Sequence, residues 1–276
     1  MQIKEAVALV TGSNRGIGRG FVEALLERGA ARVYATARRR ESLDPLVALD
    51  PARVVALPLD VTDASQVAAV AERARDLTLL VNNGGAAAMT SFLAPSLDGA
   101  RLEMEVNFWG QLAMIRALAP VLGANGGGGI IQILSIGAMT TFPAVGTYCA
   151  SKFAANAMCK GVRAELAPQR TRVMSVFSGA IESDMSKNTP GPKISAVTHA
   201  HNCLAAFEDG NEADFENHVY SDQSSVSTDS WTDMRSGSMR KIAAGASSRG
   251  GMSFISFAKP AVERCASAAL SSRKVS

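Results

Sequence analysis

Between a short apolar run at residues 6–10 and a stretch of helical periodicity at 17–28, the chain carries Thr11-Gly12-Ser13-Asn14-Arg15-Gly16-Ile17-Gly18. Few features restrict a fold so strongly. Three glycines at that junction let a strand turn sharply into a helix. They also bring the helix N-terminus, with its unbonded N–H groups and the positive end of its dipole, up to whatever occupies the turn. An anion suits that place, and strand–glycine turn–helix units are the usual seat of a dinucleotide pyrophosphate. A flexible loop with chance glycines is the plainer alternative, but it does not explain the strand before and the helix after.

The same rhythm continues downstream. Phe21, Leu25 and Leu26 lie on one side of the first helix, and Gly29 ends it. Strands are expected at 32–36, 54–57, 79–81, 130–134 and 173–177. Helices are expected from the cap at Thr62 or Asp63 to about 75, over 98–122, and from 147 to 166, where Pro168 stops the last. Alternating strands and helices imply right-handed crossovers and a parallel sheet covered on both faces, so the fold class is α/β, a doubly wound Rossmann-type sheet. Past 186 the pattern weakens. A helix over 195–207 and a poorly patterned strand over 215–220 complete a single domain of residues 1–220. About a quarter of residues 221–276 are Ser, with scattered charge, which reads as an irregular C-terminal tail.

Composition narrows the function classes. Hydrophobic residues make up 47% and charged residues 19% of the 276 positions, an ordinary soluble balance. The formal net charge of +3 gives no footprint for nucleic acid or an anionic membrane. No apolar stretch is long enough to span a bilayer, and the N-terminus lacks the layout of a signal peptide. Cys149, Cys159, Cys203 and Cys265 are widely spaced without a CxxC pair, which suits reduced thiols and a cytoplasmic address. His199, His201 and His218 have no supporting ligand cluster, so no metal is expected.

The glycine spacing, G-x-x-x-G-x-G, is one residue longer than the common dinucleotide fingerprint, and with its flanks it resembles the short-chain dehydrogenase/reductase family. The resemblance spans roughly residues 3–210. It implies that Gly12, Ser13, Asn14, Arg15, Gly16, Ile17 and Gly18 cradle a nicotinamide dinucleotide. After the second strand, the slot where NAD-binding relatives hold an acid is Ala37, followed by Arg38. A guanidinium can grip a 2′-phosphate that a carboxylate would repel, so NADP(H) is the expected cofactor, with Arg15 a second candidate for the phosphate. Arg38-Arg39-Arg40 can also be read as a solvated charge run. Asp60 and Val61 match the family's adenine-contacting pair, although Asp60 also suits an ordinary turn. Asn82-Asn83-Gly84-Gly85 resembles the family's NNAG element, with Asn83 and Gly84 lining the cofactor.

Tyr148 and Lys152 stand four residues apart on one helix, which alone reads equally as a surface pair. Ser135 lies thirteen residues before Tyr148, the family's separation, and Asn107 completes its tetrad. The resemblance makes Tyr148 the general acid/base, its pKa lowered by Lys152 and by the positive nicotinamide ring of the oxidised cofactor, with Ser135 a hydrogen-bond donor to the carbonyl oxygen. Lys152 reaches the nicotinamide ribose and Asn107 holds a relay water. The stretch 178–185 resembles the element that closes over the nicotinamide, with Gly179, Ile181 and Ser183 as contacts, although Ser178 replaces Pro and Ser183 replaces Thr. Phe92, Leu93, Met139, Phe142, Val145 and Met185 suggest an apolar substrate pocket, unless they only pack loops on the sheet. The expected activity is NADP-dependent interconversion of a carbonyl and an alcohol on a small molecule, in a homodimer formed through the two long helices. An isomerase, dehydratase or cyclase using the same Tyr and Lys, and a non-catalytic cofactor-binding scaffold, are the competing readings.

Overall fold

The computed structural model describes residues 1–187, 191–210 and the backbone of 214–217. Among these residues, seven strands and seven α-helices follow in the order β1 (Val7–Val10), α1 (Gly16–Glu27), β2 (Arg32–Ala37), α2 (Asp44–Val47), β3 (Val54–Pro58), α3 (Ala64–Arg73) and β4 (Leu79–Asn82). They continue as α4 (Asp98–Met104), α5 (Gln111–Ala124), β5 (Gly128–Ser135), α6 (Gly146–Leu166), β6 (Thr171–Ser178), α7 (Ala196–Glu208) and β7 (Asp214–Asn217). The sheet runs β3-β2-β1-β4-β5-β6-β7 with every neighbouring pair parallel. The chain works outward from β1 to β3, then returns beside β1 with β4. That reversal leaves a crevice at the carboxyl ends of β1 and β4, where a doubly wound sheet takes its ligand.

Both faces of the sheet are covered, which is why its strands read as near-continuous apolar runs. Ala8, Val10, Val33 and Val81 pack with Phe21 and Leu25 of α1 and with Leu204 and Phe207 of α7. Leu9, Leu80 and Ile130 face the other way, against Val67 and Val70 of α3, Met114 and Leu118 of α5, and Val162 of α6.

The expected elements are present with shifted edges. Asp63 caps α3, its carboxylate accepting from the N–H groups of Ser65 and Gln66. The single helix expected over 98–122 is instead α4 and α5 joined by a π-helical turn, Glu105–Gly110, a wider coil that carries Asn107. The poorly patterned last strand lies at Asp214–Asn217, paired with β6 from Ser175↔Asp214 onward. The tail at 221–276, Cys265 and His218 lie outside the described residues. Among the described residues, no helix is long and apolar enough to cross a membrane.

Candidate active site

The glycine turn is held from below by β4. A Cβ on Gly18 would come within 2.2 Å of the Gly12 carbonyl oxygen and 2.6 Å of Asn83 Nδ2, so only glycine lets the helix start this close. Gly12 itself has φ +64, the left-handed region. Asn83 Nδ2 donates to the carbonyls of Thr11 (2.9 Å) and Gly12 (3.2 Å), while Thr11 Oγ1 accepts from Asn83 N and Gly84 N. Asn83 therefore braces the turn through its side chain. Ser13 is similarly committed, donating from Oγ to the Thr36 carbonyl at 3.0 Å. No side chain caps α1, so its first N–H groups stay open toward the turn. A backbone cradle with open donors at the crevice fits a dinucleotide pyrophosphate.

Other expected cofactor contacts fall into place unevenly. Arg38 is exposed at the end of β2 and has no ion-pair partner among the described residues. Arg15 instead pairs with Asp184 at 2.9 Å, both side chains 71% exposed. An ion pair so exposed is worth little, so Arg15 can exchange it for a phosphate. Asp60 Oδ1 accepts from Thr62 N and Oγ1 within its own turn. Val61 packs on Gly110, where an added Cβ would meet its Cγ2 at 2.6 Å. After β6, the stretch bearing Gly179 and Ile181 is pinned by backbone bonds from Ile194 N to Ala180 O and from Glu182 N to Ile194 O. Ser183 and Ser186 cap each other there. Ser178, where the resemblance calls for Pro, lies 3.1 Å through Oγ from the buried His199 Nε2.

Ser135, Tyr148 and Lys152 converge beside this crevice. Ser135 ends β5, and its hydroxyl is hydrogen-bonded to the Tyr148 phenol. Gly137 N donates to Ser135 Oγ at 3.1 Å. Lys152 is 4% exposed; its Nζ donates to the Ile133 carbonyl at 3.2 Å and lies 5.8 Å from the centre of the Tyr148 ring. Asn107 Oδ1 accepts from Ala86 N, and its Nδ2 donates to Ala86 O and Ser151 Oγ. Both amide hydrogens are thus spent, and a relay water there must be bound through an oxygen.

The electrostatics differ from the sequence expectation in one respect. Burial pushes the Tyr148 phenol up to about 12, helped by Cys149 and Glu103 and opposed by the bond from Ser135. It is not lowered. The reason is that desolvation of the phenol itself outweighs the groups around it; burial separately brings the Lys152 ammonium down to about 8.

Of the residues expected to line a substrate pocket, Phe92, Leu93, Met139, Phe142 and Met185 are exposed rather than packed into the sheet. The Phe92 ring lies over Gly146, where a Cβ would come within 2.5 Å of it. Among the described residues no group of three His, Cys, Asp or Glu side chains is placed to hold a metal. Sequence reasoning missed Thr11 and Ser151, and it missed Glu103, a fully buried acid on α4. Thr11 and Ser151 stood inside the motifs already singled out; nothing in the sequence marks Glu103.

Comparison with known proteins agrees with this geometry. A model of the family described as short chain dehydrogenase matches residues 6–193. The crystal structure of a short chain dehydrogenase from Burkholderia cenocepacia in complex with NADP is similar, with 47% identity and a TM-score of 0.74, covering 79% of this chain and 90% of that chain. A short-chain dehydrogenase of Penicillium crustosum is 36% identical over 221 residues, 76% of this chain and 79% of that protein. D-erythrulose reductase of Gallus gallus is 32% identical over 192 residues, 69% of this chain and 77% of that protein.

Proposed function

The chain belongs to the short-chain dehydrogenase family of oxidoreductases, and on that premise we propose that it is an NADP-dependent reductase of carbonyl groups on apolar small molecules. The observation that carries this reading is the convergence of Ser135, Tyr148 and Lys152 beside the glycine turn, with Lys152 Nζ 5.8 Å from the tyrosine ring centre and burial holding the phenol up. A phenol so placed is protonated at neutral pH, the form that gives a proton to a carbonyl oxygen.

NADPH, when bound, supplies the hydride. Gly12 to Gly18 would hold its pyrophosphate, Arg38 and Arg15 would bind its 2′-phosphate, and Ile181 and Ser183 would border its nicotinamide. Tyr148 donates its phenolic proton to the substrate oxygen as the carbonyl carbon is reduced, leaving an alcohol and a phenolate. The Ser135 oxygen accepts from Gly137 N–H, and its hydroxyl proton can turn from the Tyr148 phenol to the substrate oxygen to stabilise the negative charge developing there. Lys152 titrates near neutral pH and can return a proton to Tyr148. Phe92, Phe142 and Met185 give the substrate an apolar surround.

A homodimer belongs to the same reading. The groove between α5 and α6 is lined by Phe108, Leu112, Ile115, Met158, Val162 and Leu166, an apolar seam that a second copy would cover. The buried thiols Cys149, Cys159 and Cys203 suit a reducing cytoplasm.

The test mixes purified protein with NADPH or NADH and a panel of apolar ketones, following loss of reduced-cofactor absorbance. Tyr148→Phe is expected to lose about 10²- to 10⁴-fold in kcat with NADPH binding retained. Arg38→Ala is expected to raise KM for NADPH about tenfold while leaving that for NADH unchanged. Reduction that survives Tyr148→Phe sinks the mechanism, and equal use of NADH and NADPH by the wild type sinks the cofactor assignment.

A further inference from the structure

Glu103 is fully buried, and the chemistry just described makes no use of it. It stands on α4 four residues ahead of Asn107. Its Oε1 accepts from the backbone N–H groups of Ala88 (2.7 Å) and Met89 (3.0 Å). Asn107 makes the matching pair of bonds to Ala86, at 2.9 and 2.8 Å. Two side chains from one helical segment thus pin the stretch from Ala86 to Met89. Met89 has φ +54, a left-handed conformation that a residue bearing a Cβ keeps only where its surroundings fix it.

The next residue carries the constraint to the reacting centre. The Thr90 carbonyl accepts from Thr147 N (3.2 Å) and Thr147 Oγ1 (3.0 Å), and the two threonine hydroxyls lie 2.8 Å apart. Thr147 directly precedes Tyr148 in the first turn of α6. Hydrogen bonds at Met89 and Thr90, joined by the backbone between them, therefore link the carboxylate to the seat of the phenol.

A glutamine could make the same two bonds at lower desolvation cost, so the backbone clamp does not account for a charge. The second oxygen, Oε2, is buried with no hydrogen-bond partner. A buried carboxylate left half-satisfied is costly, and such cost is most often kept where the charge acts on a neighbour. The Glu103 charge on α4 holds the Tyr148 phenol up, as Cys149 does from α6, while Ser135 from β5 acts the other way and Lys152 Nζ lies 5.8 Å from the ring centre. Of these, Glu103 brings negative charge from an element other than the tyrosine's own.

We propose that Glu103 is a positioning residue for Tyr148, seating it through residues 86–90 and setting the electric field at its phenol with a buried negative charge. The idea rests on Tyr148 being the proton donor, yet it can be tested apart from turnover. Tyrosinate formation is followed by ultraviolet absorbance on rising pH in the cofactor-free protein, with Tyr148→Phe as the subtraction reference, for wild type, Glu103→Gln and Glu103→Met. Ketone reduction with NADPH is measured on the same variants.

Glu103→Gln keeps the clamp and removes the charge. Its Tyr148 should titrate lower by about one pH unit, the order of effect of one nearby charge in a partly buried site, with KM and melting temperature unchanged. Glu103→Met loses clamp and charge together. It should show the same titration shift and a kcat lower by about ten- to a hundredfold, partly rescued in Glu103→Gln. An unmoved Tyr148 titration in Glu103→Gln, or wild-type kcat in Glu103→Met, overturns the proposal. If wild type reduces no ketone, the functional reading fails, and the titration still decides the role of Glu103.

Discussion

At position 152 the chain holds an ammonium where packing alone would favour an apolar side chain. Lys152 is 4% exposed, its partner in the wall behind it is the Ile133 carbonyl, and burial lowers it from 10.5 to about 8. Near pH 7 it is protonated in both the folded and unfolded chain, so folding bears the whole cost of burying that charge. Between about 8 and 10.5 the unfolded chain binds more protons than the folded one, so stability rises with pH across that window. Lys152→Met should therefore stabilise the cofactor-free protein near pH 7 by up to about 3 kcal/mol while abolishing turnover. Urea unfolding measured from about pH 7 to about pH 10 checks this, since the advantage should shrink over the upper part of the range. A Lys152→Met protein less stable than wild type near pH 7 would show that the lysine is held by more than its catalytic use.

The passage from β6 into α7 shows the same tension within elements. The resemblance calls for Pro at 178, a residue that stiffens its backbone by a ring; here Ser178 is tethered to His199 on α7 instead. Burial brings the imidazole down to about 4, so it stays neutral while the unfolded chain takes up a proton near 6.5. Stability is therefore lost as pH falls from about 6.5 to about 4, and the loss levels off below. His199→Gln should flatten that decline, keeping about 2 kcal/mol that wild type loses by about pH 5, as read from urea unfolding at about pH 7 and about pH 5. His199→Phe should flatten it too, and should also weaken NADPH binding because Ser178 loses its tether. How legible all this was in the sequence followed from how local its causes are. The glycine turn, the Asp63 cap and the Tyr148–Lys152 helix depend on residues close in the chain, and each stood out. The π-turn around Asn107 did not, because one extra residue per turn leaves apolar periodicity almost unchanged. Nothing local marks Glu103, since only the distant Ala88 and Met89 N–H groups reveal its burial. The rise of the Tyr148 phenol was missed for a similar reason: desolvation is set by the whole surround and not by the Lys152 spacing.

Over the whole molecule, one cluster joins the beginning of the described chain to its end. Phe21, Val22 and Leu25 of α1 share a core with Ala200, Leu204 and Phe207 of α7, beneath β1 and β5. Phe207 is fully buried, lies on Gly129 and has the Arg172 guanidinium 4.3 Å above its ring. Phe207→Ala should cost about 3–5 kcal/mol and lower the denaturant midpoint without changing the preference for NADPH. A loss under about 1 kcal/mol would mean that α7 contributes little to the fold. The pairing of α1 with α7 also fixes when the protein can begin to work. A ribosome delivers β1, the glycine turn and α1 well before α7, so the part of the α1 face that meets Ala200, Leu204 and Phe207 lacks its cover until some 180 further residues have been added. A nascent chain thus carries its nucleotide cradle well before that face is closed, which makes α1 a surface a chaperone would meet while the intervening strands and helices are made.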